Sequence, residues 1–331
     1  MGKKKGSSTP AASTLLMPTP PTTKPIVDTH THLASTFEMY RGRYSTRGED
    51  VNDLPAIETV YDFAKVMYEG RGVEAIIDVW CEVEQNKTRL WKEFADAALE
   101  KESKWGSMQY WFVIGVHPHE AKNYDDEMEK LLLEAAEHPR CVGLGEMGLD
   151  YHYSLSPHDV QQRVFRTQLE HAVRLNKPLT IHTREAEEDT ERILKEVVPK
   201  DHRIHIHCFT DSPDFAKRLL DWFPNLYIGV TGVVTYATNA NTSQVVKELV
   251  STEGSPLRIV LETDAPYMVP ANLYDALPAI KGKRFPVCHT AMVPWTAQFV
   301  SNALQGTEDG PWTADRIMID ARENARSVYG I

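Results

Sequence analysis

Histidine and acidic side chains recur at the ends of the apolar, β-branched runs of this sequence. They are His30 and His32 in PIVDTHTH, His117 in YWFVIGVHP, Glu146 in CVGLGEMGLD, His182 in PLTIHTR, His207 in RIHIHCF and Asp264 in RIVLETDAP. Imidazoles and carboxylates in one cluster suit zinc, manganese or magnesium, and a carboxylate can bridge two ions. Bound ions lower the pKa of a water ligand and neutralise developing negative charge, so this set predicts hydrolytic chemistry.

The spacing of these residues, and their common position at the C-terminal ends of the predicted strands, favour a metal site over ordinary packing. Because residues two apart on a strand point to the same side, His30 and His32 can bind one ion. A single strand histidine more often packs in a core, but here, even without His117, six candidate ligands stand at the same end of five predicted strands. His205 repeats the two-residue spacing with His207 but lies one layer deeper, which predicts a packing or supporting role.

The elements that must carry these side chains alternate regularly along the chain. Segments with helical periodicity separate eight predicted strands, over residues 25–32, 73–80, 110–118, 141–150, 178–184, 203–209, 226–234 and 258–266. Eight strand–helix units predict an α/β fold, a (β/α)8 TIM barrel with the metal site at the C-terminal face of the strands. The competing fold, a doubly wound open sheet, normally has fewer strands.

A glycine pattern in the fourth run suggests a different ligand. Gly143, Gly145 and Gly148 have the G-x-G-x-x-G spacing of dinucleotide-binding loops. Such a loop opens directly into a helix whose N-terminus meets the pyrophosphate. Here residues 151–157, YHYSLSP, come before the next predicted helix, so the glycines are interpreted as close packing around Glu146.

Composition limits the class of protein. The formal net charge of −11 argues against a broad basic face for nucleic acid. No window approaches the ~18 apolar residues of a membrane span. The four cysteines lie far apart, as expected for reduced thiols of an intracellular protein, cytoplasmic or nuclear. Residues 1–24 are rich in Ser, Thr and Pro and are predicted to be a disordered tail, with a single barrel domain over residues 25–331.

Six short motifs occur in a fixed order, each at the end of a predicted strand: VDTHTH, GVHPHEA, GLGEMGLDY, IHTRE, HCF and ETDAPY. Together they resemble the TatD family of metal-dependent deoxyribonucleases, within the amidohydrolase-like barrels. The resemblance runs from about Pro25 to the C-terminal ENARSVYG. It implies cleavage of DNA phosphodiester bonds by 3′-end exonuclease or endonuclease action, in some members at abasic sites. Single-stranded or damaged DNA ends are the expected partners.

The resemblance also implies two or three divalent ions and assigns roles by position. The ligands divide into two sets that share Glu146, namely His30, His32, Glu146 and Asp264 for one ion, and Glu146, His182 and His207 for the other. Asp264 and Glu146 are also expected to act in catalysis, and Glu262 to assist an additional ion. His117 and Arg184 match positions near the scissile phosphate.

Two long connections at the same face of the predicted barrel could contact a substrate. Residues 33–58 follow the first predicted strand, residues 265–289 follow the eighth, and long loops at this face usually shape an active site. Aromatic side chains of the first loop are predicted to stack on bases, and cations of both loops to contact phosphates. These side chains are Tyr40 and Tyr44, and Arg41, Arg43, Lys283 and Arg284.

Two other functions fit the same residues. A barrel metallohydrolase with these ligands could cleave a small ester, amide or phosphate instead of a DNA strand. A non-catalytic, partner-binding protein of the same fold is the second alternative.

The sequence departs from the family pattern in its two long connections. Residues 33–58 are longer than the common family loop, and Phe285-Pro286 replaces the family's usual Asn-Glu-Pro. The sequence leaves the polarity of cleavage and the oligomeric state open.

Overall fold

Eight parallel strands follow one another around a barrel in sequence order. The computed structural model describes residues 9–44, 54–250, 256–280, 282–307 and 311–331. The strands are β1 (Ile26–Thr31), β2 (Val73–Trp80), β3 (Gln109–Ile114), β4 (Cys141–Asp150), β5 (Leu179–Arg184), β6 (Ile204–Ile206), β7 (Leu226–Val230) and β8 (Ile259–Leu261). Neighbours in the sequence pair in parallel from β1 to β8. The Asp264 amide donates to the His30 carbonyl (2.9 Å) and the His32 amide to the Ala265 carbonyl (2.8 Å), joining the two ends. The predicted TIM barrel is confirmed.

Helices cover the outside of the barrel. They are α1 (Leu33–Tyr44), α2 (Val60–Tyr68), α3 (Val83–Lys87), α4 (Leu90–Ala97), α5 (Asp126–Ala136), α6 (His158–Arg174), α7 (Glu187–Val197), α8 (Pro213–Trp222), α9 (Asn241–Leu249), α10 (Val293–Ala303) and α11 (Ala314–Tyr329). Thr59 and Ser212 accept hydrogen bonds from the third amides of α2 and α8, which satisfies donors that a helix start leaves unpaired. Between α3 and α4, Arg89 has φ +60°, which lies outside the right-handed helical region, so the two helices do not join.

The apolar core lies between the strands and these helices. Fully buried side chains from both layers meet there, such as Phe112 of β3 and Leu169 of α6. All four cysteines are free thiols. Among the helices in the described ranges, none is long and apolar enough to cross a membrane.

Part of the N-terminal segment packs against the barrel. Residues Ala12–Leu16 form a 3-10 helix, and the Leu15 side chain is fully buried. The Leu15 carbonyl accepts a hydrogen bond from Nε2 of His289 (2.9 Å), and the Leu16 carbonyl accepts one from Nε of Arg71 (2.8 Å). The disorder predicted for residues 1–24 is therefore wrong for this part, because the segment buries an apolar residue and its backbone has partners. Residues 1–8 lie outside the described residues.

The first long connection is also different from its prediction. Its first part is the helix α1, in which Tyr40 and Tyr44 are only 2% and 6% exposed. The predicted stacking of bases on these two rings is wrong, because both rings pack into the core, where Tyr40 lies 5.4 Å from Phe63 between ring centroids. Arg41 lies over the ring of Phe37, 5.6 Å from its centroid. Residues 45–53 of this connection lie outside the described residues.

Candidate active site

The predicted ligand residues meet at the C-terminal ends of the strands. His30 is on β1, Glu146 on β4 and His182 on β5, whereas His32 and His207 come directly after β1 and β6 and Asp264 comes three residues after β8. A cavity of about 900 Å³ opens above them, hereafter the active cavity. Donor atoms within 4.8 Å of one another form three overlapping groups, namely His30, His32 and Glu146; His30, His207 and Asp264; and His117, Glu146 and His182. The structure thus brings together every metal ligand that the sequence suggested.

The first set of ligands has the spacing of a metal shell. Nε2 of His30 lies 3.4 Å from Nε2 of His32 and 3.5 Å from Oε2 of Glu146. Oδ1 of Asp264 lies 3.4 Å from Nε2 of His32. Ligands bound tetrahedrally at about 2.0–2.1 Å are separated by roughly 3.3 Å, so one small divalent ion fits among these atoms.

The tautomers of this set favour metal binding as well. Nδ1 of His32 donates to the Val79 carbonyl (3.2 Å), which leaves the lone pair on Nε2 toward the other ligands. Burial and the nearby His207 lower the pKa of His30 to about 4, so its imidazole is neutral and able to coordinate at neutral pH. Burial lowers the pKa of His32, but Asp264 and Glu146 outweigh it and raise this pKa to about 9, so the carboxylates favour positive charge at this point, which a bound cation would supply in place of the proton.

The two oxygens of Glu146 face two different groups of histidines. Oε2 lies 3.5 Å from Nε2 of His30 and 3.9 Å from Nε2 of His32. Oε1 lies 2.8 Å from Nδ1 of His182 and 3.6 Å from Nε2 of His207. A carboxylate divided in this way has the geometry of a bridge between two ions.

The charges of the cluster also suit cations. Burial raises the pKa of Glu146, but His207, His117 and His182 outweigh it and hold this pKa well below its ordinary value. Although burial lowers the pKa of His182, its hydrogen bonds to Asp150 and Glu146 raise it to about 9. The carboxylates therefore draw positive charge into the cavity, which divalent ions bound by neutral histidines would supply. The donor set fits one ion on each side of Glu146.

His117 shares Oε1 of Glu146 but differs in its tautomer. Its Nε2 lies 3.5 Å from that oxygen, while its Nδ1 accepts a hydrogen bond from the His119 amide (3.1 Å). The neutral ring consequently carries its proton on Nε2 and is a donor toward the cavity. This placement agrees with a substrate contact better than with a metal ligand.

Glu262 lies behind His207 and does not line the active cavity. Its side chain is 0% exposed, and Oε1 lies 3.3 Å from Nδ1 of His207 while Oε2 lies 2.9 Å from Nε2 of His205. Nδ1 of His205 in turn contacts the Tyr329 hydroxyl (2.8 Å), which also meets Oγ1 of Thr180 (2.7 Å). Glu262 therefore contacts the histidines from behind the ligand cluster, whereas its expected catalytic assistance to an additional ion stays a prediction, and His205 lies one layer below His207 as the sequence indicates.

Two carboxylates that support the ligand histidines, Asp150 and Asp28, were not predicted from the sequence. Asp150 accepts hydrogen bonds from Nε2 of His119 (2.8 Å) and from the Tyr153 amide (3.0 Å), and it lies 3.3 Å from Nε2 of His182. The signal was available, because residues 146 and 150 of one strand face the same side. Asp28, two residues before His30, is fully buried, and burial raises its pKa to about 7 despite hydrogen bonds from Thr263 and Thr290.

The predicted substrate contacts divide between two places. The Arg184 guanidinium lies 4.8 Å from the centroid of the Tyr153 ring, and both side chains line the active cavity. Arg284 lines a second cavity beside it, and Lys283 lines neither of these two cavities. Tyr153 and Tyr267 are each 55% exposed and line the active cavity, so they take the place expected for the aromatic residues of the first loop.

The glycine pattern lies entirely within β4. Gly148 has φ +152°, and a Cβ atom there would lie 1.9 Å from the His182 carbonyl oxygen of β5. A Cβ atom at Gly145 would lie 2.2 Å from the Thr180 carbonyl oxygen. These glycines permit close approach of the two strands, as the sequence predicted, and β4 does not open into a helix at this point.

Fold and site together define a (β/α)8-barrel hydrolase of the metal-dependent class. The chain belongs to the TatD related DNase family, whose family model matches residues 27–330.

Individual relatives agree with this family. The human "3'-5' RNA nuclease TATDN2" is 36% identical over 255 residues, which cover 76% of this chain but only 30% of the human protein. The "3'-5' ssDNA/RNA exonuclease TatD" of Pantoea ananatis is 33% identical over 224 residues, covering 67% of this chain and 78% of that protein. The crystal structure of a TatD family hydrolase from Entamoeba histolytica has a TM-score of 0.70 and 19% identity, covering 93% and 98% of the two chains, and supports the fold.

Proposed function

We propose that this protein is a metal-dependent phosphodiesterase that shortens single-stranded DNA from its 3′ end. The observation that carries the proposal is the division of the Glu146 oxygens between two groups of histidines, because a pair of ions so held suits phosphoryl transfer. The names of the human and Pantoea relatives support the polarity and the nucleic-acid substrate. Divalent ions bound there would activate water and stabilise the attacking and leaving oxygens.

The ligand residues and their neighbours each have a proposed role. His30, His32 and Asp264 would hold one ion, His182 and His207 would hold the other, and Glu146 would be a ligand of both. Asp264 also lines the active cavity, so its carboxylate is placed to accept a proton from the attacking water. The Nε2–H group of His117 would donate a hydrogen bond to a non-bridging phosphate oxygen.

The mouth of the active cavity suits a nucleotide. Tyr153 and Tyr267 offer exposed ring faces on which a base can stack. The Arg184 guanidinium beside Tyr153 suits an adjacent phosphate. Asp150 fixes this side of the cavity, because it accepts the Tyr153 amide and contacts His182.

The proposed substrate and cellular compartment are more specific than family membership alone defines. DNA is the proposed substrate, and RNA of the same sequence is the comparison that tests it, since both relatives are named as acting on RNA. Endonuclease action and cleavage at abasic sites belong to the same proposal. The free thiols fit an intracellular site of action, cytoplasmic or nuclear.

The proposal is tested with 5′-labelled single strands. The protein is first stripped with a chelator, then given magnesium, manganese or zinc and incubated with DNA, RNA and abasic DNA. We expect a ladder of products shortened from the 3′ end, whereas internal cuts would give discrete bands. A wild-type protein that is inert on all three substrates with every metal would overturn the proposal.

Matched variants assign the activity to the site. Glu146→Gln keeps the shape of the side chain but removes the bridging charge, so kcat should fall at least ~100-fold. Glu120→Gln is the control, because Glu120 also lines the active cavity but its carboxylate accepts the Val83 amide at 2.5 Å and a glutamine oxygen can still accept it. Equal activity of the two variants would contradict the assignment.

A further inference from the structure

A second cavity of about 870 Å³ lies beside the active cavity, hereafter the side groove. It is formed between α1 and the segment after β8, with Met39 and Arg43 on the first side and Tyr274 and Arg284 on the other. Tyr267 and Met268 line both the active cavity and the side groove. A chain that leaves the active cavity past these two residues would enter the side groove directly.

The lining of the side groove has the chemistry of a polyanion site. It contains two arginines, and none of its described lining residues is an Asp or a Glu. Arg43 and Arg284 are both exposed, and within the described ranges neither forms an ion pair. Several other arginines of this acidic chain are held by carboxylates, as in the pairs Arg89 with Glu134 and Arg322 with Glu74. Among the described residues, these two exposed arginines therefore concentrate positive charge next to the candidate active site.

The aromatic residues of the side groove are held in place. The Tyr236 hydroxyl donates to the Val269 carbonyl (3.0 Å), and the Tyr274 hydroxyl accepts a hydrogen bond from the Phe285 amide (2.9 Å). The Tyr267 ring lies at the boundary with the active cavity and is 55% exposed. Fixed aromatic side chains beside exposed arginines match the way proteins bind single strands, with rings under bases and cations at phosphates.

We infer that the side groove binds the nucleotides of a single strand that remain attached to the nucleotide in the active cavity. The inference rests on the proposed function, because an exonuclease must hold the strand that continues beyond the scissile bond. It identifies Arg43 and Arg284 as phosphate contacts outside the reaction centre. Their contribution should grow with the length of the strand, since a dinucleotide is too short to reach both.

The test compares strand lengths in the double variant Arg43→Ala/Arg284→Ala. The ratio of kcat/KM for a single-stranded octanucleotide to that for a dinucleotide should fall about tenfold or more, mainly through KM. The slope of log affinity against log salt for the octanucleotide should also decrease by about 1–2, as expected when one or two phosphate contacts are lost. Arg163→Ala is the matched control, because Arg163 is exposed on α6 and lines neither cavity.

A second measurement separates this inference from catalysis. Binding of a labelled octanucleotide to the chelator-treated proteins, followed by fluorescence anisotropy, should weaken about tenfold in the double variant and stay unchanged in Arg163→Ala. If wild-type protein cleaves single strands but the double variant keeps both its length preference and its octanucleotide affinity, the side groove is not the strand path. If wild-type protein neither binds nor cleaves any single strand, the proposed function fails together with the inference.

Discussion

The Glu262 carboxylate lies 3.3 Å from Nδ1 of His207, whose other ring nitrogen faces Glu146 at 3.6 Å. Burial raises the pKa of Glu262, but His205 and His207 outweigh it and hold this pKa far below its ordinary value. Such a carboxylate fixes the tautomer of the ring and raises the basicity of the opposite nitrogen. If His207 is a metal ligand as proposed, Glu262 would support it from behind, because Glu262 is buried and is not among the residues that line the active cavity.

Replacing Glu262 should weaken metal binding. Glu262→Gln keeps the shape of the side chain but removes its charge, so the affinity for manganese should fall about 10–100-fold. Titration calorimetry of the chelator-treated protein measures this affinity, and thermal unfolding monitors the fold. Glu127→Gln, an exposed position on α5, is the control. Unchanged manganese affinity in Glu262→Gln would show that the carboxylate only fills space.

Replacing Asp150, which contacts His182 on the other side of the active cavity, should also weaken the candidate site. Its pKa is lowered because its hydrogen bonds to His182, the Tyr153 amide and His119 outweigh burial. Asp150→Asn removes the charge that orients His182 and should reduce kcat/KM on single strands about 10–100-fold. His119→Gln breaks one contact of Asp150 but leaves the contact between Asp150 and His182. The fall in kcat/KM should therefore be smaller in His119→Gln than in Asp150→Asn. A larger loss in His119→Gln than in Asp150→Asn would contradict this order.

The N-terminal segment should make stability depend on pH through His289. Burial lowers the pKa of His289 from 6.5 to about 4, against the hydrogen bond to the Leu15 carbonyl. Between these two values the unfolded chain binds a proton that the folded protein excludes. Stability is therefore fully present above pH 6.5 and is lost as the pH falls toward 4.

Chemical denaturation at pH 7 and pH 5 measures this contribution. The fall in the free energy of unfolding between the two pH values should be about 2 kcal/mol smaller in His289→Gln than in wild-type protein. The glutamine amide can still donate to Leu15, and groups that titrate in both proteins cancel in the comparison. His158→Gln, at an exposed position on α6, should keep the wild-type pH dependence. An identical fall in wild-type protein and His289→Gln would contradict the assignment.

The barrel and the ligand set could be predicted because their signals are local. Each strand is a short apolar run, and each ligand stands at its end, so the parallel order alone brings His30, Glu146 and His182 together. Asp150 was equally visible as a second acidic residue on the inward side of β4. Strand alternation alone does not predict its role, because a carboxylate that supports a histidine and one that binds a metal have the same sequence signal.

Other features depend on contacts that no local pattern encodes. Leu15 is buried through its contact with His289, which is 274 residues away in the sequence. The role of Glu262 depends on whether it faces the cavity side or the buried side of the His207 ring. Strand alternation does not predict which of these two sides it occupies. The burial of Tyr40 and Tyr44 was foreseeable, however, because these residues and Phe37 repeat every three to four positions, as on one face of a helix.

The glycines around Glu146 give a final prediction about strand spacing. A Cβ atom at Gly148 would lie 1.9 Å from the His182 carbonyl, and its φ of +152° disfavours any larger residue. Gly148→Ala should therefore push β4 from β5 and lower the free energy of unfolding by about 3 kcal/mol or more. At Gly42, in α1, a Cβ atom would meet nothing within 4 Å, so Gly42→Ala should stabilise the protein by about 0.5–1 kcal/mol. Denaturant unfolding measures both variants, and a Gly148→Ala protein within 1 kcal/mol of wild type would show that the two strands can separate at little cost.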